Sequence, residues 1–205
     1  SSGGSLAKSG TGTLTLSSAS SYDGSTTISA GTLEVTSPLG TGTYAGAIAN
    51  DGELHVNTAS AQTLSGDLSG SGLLRKSAAG TLTLSGTNSY TGGTTLAGGT
   101  LALGSADALG SAGTITLSGG TLQFSAGNTA DYSARFATVD NQAFNFDTNG
   151  QDVAFASGLA SSGGTLAKTG TGTLTLAGSN TYTGGTTITA GTLEVSGLLG
   201  AGTYG

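Results

Sequence analysis

Three groups of residues in this 205-residue chain carry side chains that could do chemistry. Asp131, Arg135 and Asp140 lie in one short segment, and carboxylates beside a basic residue can act as general acid and base on a polysaccharide. Such a site needs further acidic groups on neighbouring strands at the same height. None is in view, so the expectation is a loop held by its own ion pair. His55 is the only histidine. In Glu53-Leu54-His55-Val56, strict alternation sends it outward with Glu53, and the local sequence offers no triad partner. Asp147, Asn149 and Asp152 set oxygen atoms around Gly150 as a calcium loop can begin, but the closing bidentate glutamate is missing, and a tight turn is expected. No catalytic residue, cofactor or metal ligand is assigned, and the chain reads as non-enzymatic.

The elements that would position these groups follow from one recurring unit. Residues Gly80 to Leu103 read GTLTLSGTNSYTGGTTLAGGTLAL, with close copies at Gly12 to Val35 and Gly172 to Val195. Thr-Leu alternation is the period of a strand with one buried face. The first inward residue of each such strand gives a core ladder of Leu14, Leu33, Leu54, Leu82, Leu101, Leu122, Phe144, Leu174 and Leu193, separated by 19, 21, 28, 19, 21, 22, 30 and 19 residues. A coil of short strands and turns needs about twenty to thirty residues, so the chain reads as a stacked solenoid. The expected fold is all-β, a single parallel β-helix of about nine rungs. It divides into a three-rung module over about 14–81, a four-rung module over about 82–173 and the start of a further module at 174–205.

Composition narrows the partners. Five Lys and Arg stand against eleven Asp and Glu, a formal net charge of -6, so there is no basic stripe for nucleic acid. No apolar run is long enough for a membrane helix. The chain has no cysteine, which excludes disulfides and thiolate metal sites. Its 39 glycines would suit a linker if unpatterned, but here they punctuate strands. Lys8 is placed at a turn, and Leu39, Ile48 and Leu109 at corners or on a second face. Residues 125–141 break the pattern most, and a longer loop or bulged coil is expected there.

Two outward features invite binding roles. A row of Thr13, Thr32, Glu53, Thr81, Thr100, Thr121, Ala143, Thr173 and Thr192 resembles an ice-binding face, but its companion Thr15, Glu34, His55, Thr83, Ala102, Gln123, Asn145, Thr175 and Glu194 is too mixed for a lattice match. Exposed strand threonine also has a plain explanation in β propensity. Tyr22, Tyr90 and Tyr182 recur at one place in the unit, where they could stack on a sugar as glycan contacts or plug the core.

The repeat, in GTLTLSGTNSYTGGTTLAGGTLAL and GGTLAKTGTGTLTLAGSNTYTGGTTITAGTLEV, closely resembles the passenger-associated β-strand repeat of bacterial autotransporters. The shared features are the Gly-Thr-Leu strand, the Tyr-Thr-Gly-Gly-Thr-Thr link and the leading Leu-x-Lys. The resemblance implies a right-handed parallel β-helix exported to the bacterial cell surface or beyond, serving as stalk or folding segment. The expected function is a non-catalytic structural or adhesive segment, with no insertion into the membrane by this segment. One alternative is a passenger that binds a host or matrix glycan directly, and the other is a self-stacking filament subunit. Residues 1–44 and 161–204 match at 30 of 44 positions. That match leads to the expectation of an excerpt from a longer repeat protein whose partner is itself, by end-to-end stacking.

Overall fold

In the computed structural model, which describes residues 3–200, the chain is a parallel β-solenoid of about 10 turns. Its strands are two to five residues long and every ladder between named strands is parallel. Alternating burial along each strand puts one set of side chains inside the coil and the other on its surface. A turn takes 19 residues where Leu14 lies under Leu33 and 24 where Leu122 lies under Phe146.

Each turn has three sides, and the strands gather into three faces. The second face stacks Thr13–Leu16, Thr32–Val35, Glu53–Val56, Leu73–Lys76, Thr94–Leu96 and Ile115–Leu117. The third is an eight-stranded sheet running from Thr43–Tyr44 through Gln62–Leu64, Thr81–Leu84, Thr100–Leu103, Thr121–Gln123, Ala143–Asp147 and Thr165–Thr169 to Thr186–Ile188. The first face is split. Leu6–Lys8, Thr26–Ile28, Ile48–Asn50 and Leu68–Ser69 form a lower sheet, and Val153–Phe155, Thr173–Leu176 and Thr192–Val195 an upper one.

Side chains bridge the split. Asn88 Oδ1 accepts the Leu68 N–H and its Nδ2 donates to the Ala108 carbonyl. Asn128 Nδ2 donates to Ser105 and Ala106, and Asp131 Oδ2 accepts the Ala156 N–H. Where no neighbouring strand is present, these side chains satisfy the backbone groups.

The single ladder expected from sequence is therefore three ladders. Leu14, Leu33 and Leu54 belong to the second face and continue through Leu74. Leu82, Leu101 and Leu122 belong to the third face, and Leu174 and Leu193 to the first. The steps of 28 and 30 residues are not long rungs. Each is one full turn plus one side: Leu54 to Leu74 and on to Leu82, then Phe144 to Leu166 and on to Leu174. Phe146, not Phe144, sits over Leu122, a slip of two residues that keeps both phenylalanines inward. Leu33, Leu54, Leu82, Leu101, Leu122, Phe144 and Leu174 are fully buried, while Leu14 and Leu193 are half-buried. The outward rows divide in the same way, so His55 is flanked by Glu34 and Arg75, not by Thr83.

Residues 125–141 form the irregular segment. It contains an antiparallel bridge between Ser125 and Asn128 and a 3-10 turn at Ser133–Arg135. All five phenylalanines of the chain pack at this level, with ring centroids between 5.0 and 6.4 Å in Phe146–Phe155, Phe124–Phe155, Phe136–Phe146 and Phe144–Phe146.

Candidate functional site: corner clamps and an outer-face cluster

Several of the residues that recur in the repeat point inward. Alternation in Leu6-Ala7-Lys8, Leu74-Arg75-Lys76 and Leu166-Ala167-Lys168 places each lysine on the core side of its strand, stacked with Ile28, Val56 and Leu96, and Phe146 and Ile188. Lys8 is 6% exposed, and Lys76 and Lys168 are 0% exposed. A buried ammonium needs acceptors, and each finds three carbonyls at the corner beyond its strand.

Lys8 Nζ donates to Ser9 at 2.8 Å, Gly10 at 2.7 Å and Ala30 at 3.0 Å. Lys168 donates to Thr169 at 2.8 Å, Gly170 at 2.7 Å and Ala190 at 3.2 Å. Lys76 donates to Ser77, to Ala78 at 2.8 Å and to Gly98 at 3.5 Å. Two carbonyls come from the lysine's own turn and one from the turn above, so each ammonium ties successive rungs together. Burial pushes Lys76 down to about 8 and lowers Lys168 too, with Asp147 opposing the shift.

A glycine closes each clamp. Gly31, Gly99 and Gly191 have φ of 68°, 67° and 70°, and a Cβ there would lie 2.8, 2.7 and 2.7 Å from the Nζ below. The three clamps occupy three different corners. The repeat copy beginning at Leu6 runs over the first and second faces, the one beginning at Leu74 over the second and third, and the one beginning at Leu166 over the third and first.

The tyrosines fill the core. Tyr90 and Tyr182 are 0% exposed, which corrects their reading as glycan contacts, since an enclosed ring presents no face to a sugar. Their hydroxyls bond Thr94 and Thr186 Oγ1 at 2.7 and 2.6 Å. Tyr22 makes the same bond to Thr26 at 2.9 Å, is half-buried, and packs edge-on against Tyr44 at 5.3 Å. Burial raises Tyr90, and it raises Tyr44 to about 12.

Asp131, Arg135 and Asp140 do not assemble. Arg135 donates to the Gly113, Gly110, Leu109 and Ala112 carbonyls and lies 5.7 Å from the Tyr132 ring centroid. Asp131 accepts from Ser133 N and Oγ as well as Ala156. The expected internal ion pair is thus replaced, among the described residues, by bonds to backbone and serine. Asp147 closes a turn instead, accepting the Asn149 N–H, with Asn149 at φ 48° and Gly150 at 82°.

His55 is less solitary than the sequence suggests. Stacking brings Glu34 from the turn below and Ser77 from the turn above. His55 Nε2 lies 2.6 Å from Ser77 Oγ, and Nδ1 lies 3.6 Å from Glu34 Oε1. Asn57 closes the ring, its Nδ2 donating to Glu34 Oε1 at 2.9 Å while its Oδ1 accepts from Ser77 Oγ at 2.9 Å. Thr15 Oγ1 donates to Glu34 Oε2 at 3.1 Å. Arg75 stands beside the cluster, exposed. Glu34 already neighbours His55 in the outward row read from sequence, while Ser77 and Arg75, one turn above, were hidden by the misread 28-residue step.

A nucleophilic role is disfavoured by proton placement. The Glu34 carboxylate only accepts, which turns the Asn57 amide nitrogen toward it and Oδ1 toward Ser77. The single Ser77 hydroxyl proton is then held by Asn57, and His55 must donate from Nε2, the reverse of a general base.

Comparison with known proteins gives one family. Residues 6–35, 74–103 and 166–195 match the passenger-associated-transport-repeat, and each match has a clamp lysine as its third residue. No curated protein and no solved structure matches the chain.

Proposed function

From a chain that carries the passenger-associated-transport-repeat three times, we propose a non-catalytic structural segment of an exported bacterial passenger, one that sets length and stiffness at the cell surface or outside the cell. One observation carries this reading. The clamp lysines, the threonines that bond the tyrosines, and Tyr90 and Tyr182 are turned into the coil, and a close-fitting glycine covers each lysine, so these recurring residues hold one rung on the next. A recognition repeat would keep its characteristic residues outside. The direct glycan-binding alternative draws no support from the tyrosines, whose rings serve the core.

As a spacer, the chain behaves as a stack in which each turn contacts only its neighbours. Removing one whole turn, residues 48–67, is expected to leave a folded rod shorter by about 4.8 Å, the spacing of paired strands. Small-angle scattering measures the length. A glycan array probed with the purified chain should show no saturable binding. Binding to one glycan class, lost on substitution of outward residues with melting unchanged, would overturn the spacer reading in favour of direct recognition.

A further inference from the structure

The cluster around His55 has a feature that the spacer role does not use. With Nε2 donating to Ser77, neutral His55 carries its lone pair on Nδ1. In that tautomer Nδ1 lies 3.6 Å from a carboxylate oxygen, a contact between two acceptors. A positive species between them, either a proton on Nδ1 or a bound cation, makes the contact favourable.

We propose that His55 Nδ1 and Glu34 Oε1 form a binding site for a divalent first-row transition ion, with Zn²⁺ as the probe. Imidazole nitrogen with a carboxylate oxygen is a donor set for such ions. Bonds of about 2.0–2.1 Å at tetrahedral angles place two ligand atoms about 3.3–3.4 Å apart, so the pair needs to close by only a few tenths of an ångström. Both ligands are already held from behind. Ser77 fixes the tautomer and ring orientation of His55, while Asn57 and Thr15 hold the two oxygens of Glu34.

The side chains are 16% and 23% exposed, which leaves the outer coordination positions to water. Among the described residues no group of three His, Cys, Asp or Glu converges, so the protein supplies two ligands. The surrounding charges are mixed. Glu53 on the same strand and Glu34 below favour a cation, Arg75 above opposes it, and the Lys76 ammonium is turned away to its corner. A bound ion would cross-link two successive turns.

The single histidine makes the test clean, because the full chain has one imidazole and no thiol. Nitrogen-detected NMR at neutral pH should find His55 as the Nε2–H tautomer. Zn²⁺ should shift its resonances saturably with one equivalent bound. Glu34→Gln should weaken binding about tenfold or more, the scale on which ligand support acts. Arg75→Gln should tighten it, a change that a purely structural histidine would not produce. An Nδ1–H tautomer, no saturable shift, or Zn²⁺ affinity unchanged in Glu34→Gln would each overturn the proposal. Loss of binding to Glu34→Gln with melting preserved separates this outcome from a failure of the spacer reading.

Discussion

The lower coil, up to Gln123, and the segment from Phe124 to Phe155 are both stacks of three-sided turns, but they cohere by different means. In the lower coil, strand lies on strand on the second and third faces, and on the first face as far as Ser69, and backbone bonds join those rungs. The first face has no named strand between Ser69 and Val153; below Gln123 Asn88 bridges that gap, and above Gln123 the bridging passes to other side chains. There Asn128, Asp131 and Arg135 satisfy backbone groups one by one, and phenylalanines fill a core held elsewhere by leucine. Backbone pairing tolerates almost any alternating sequence. A coil held by particular side chains depends on each of them. The difference teaches where single substitutions should matter for polar residues and where only core residues should.

The largest effect is expected in the regular coil, from a charge in its ladder. Leu101→Asp buries an unpaired carboxylate at a fully enclosed position, and a loss of about 4 kcal/mol or more in denaturant unfolding is expected. Next comes the irregular segment. Arg135→Gln leaves several carbonyls unpaired and should cost about 2–3 kcal/mol, with Arg135→Lys only partly restoring them. If Arg135→Gln unfolds no more easily than the parent, the two regions do not differ as described.

The clamps fall between these regimes, because a specific side chain there reinforces a backbone ladder. Lys76→Met keeps the apolar stem, loses three bonds and relieves a buried charge, for a net loss of about 1 kcal/mol at pH 7. Its pH dependence sharpens the assignment. The folded value near 8 lies below the ordinary 10.5, so between these values the unfolded chain holds more protons and stability rises with pH through this group. The advantage of the parent over Lys76→Met should therefore be constant below pH 8 and widen toward pH 10. A narrowing gap in urea midpoints would mean the ammonium is stabilised, not disfavoured, in its corner. Smallest of all, Thr100→Asp on the outer face of the regular coil should stay within about 0.5 kcal/mol.

Alternation made the solenoid and its inward residues legible in the sequence. It could not show which face a strand joins, because strands on all three faces share the same alternation. Leu82 follows Leu54 in the chain but stacks on Gln62, and only the register reveals it. The lysines were within reach, since Leu6 and Lys8 share parity and therefore a face, but a charged residue is ordinarily assigned to the outside. Asn88 and Asn180 were visible as recurring letters without a role. Each accepts a backbone N–H on one side and donates to a carbonyl on the other, which replaces strand pairing at that side of the turn. Glu34 stood beside His55 in the outward row from the start, but Ser77 became its partner only once the length of the turn above was known.

The advance of each repeat copy by one face bears on how such a gene can change length. Unequal recombination between the similar copies would excise or duplicate the stretch from Leu14 to Leu82, or from Leu82 to Leu174, three or four turns and one extra side. In a coil with three distinct walls, that fractional step would set every downstream strand against the wrong neighbour. Here all three walls bear strands that alternate an inward and an outward side, so a shifted strand meets a compatible neighbour wherever a strand is present. The chain behaves like a screw thread that re-engages after any third of a revolution, and its length is open to variation at the level of DNA without loss of the fold.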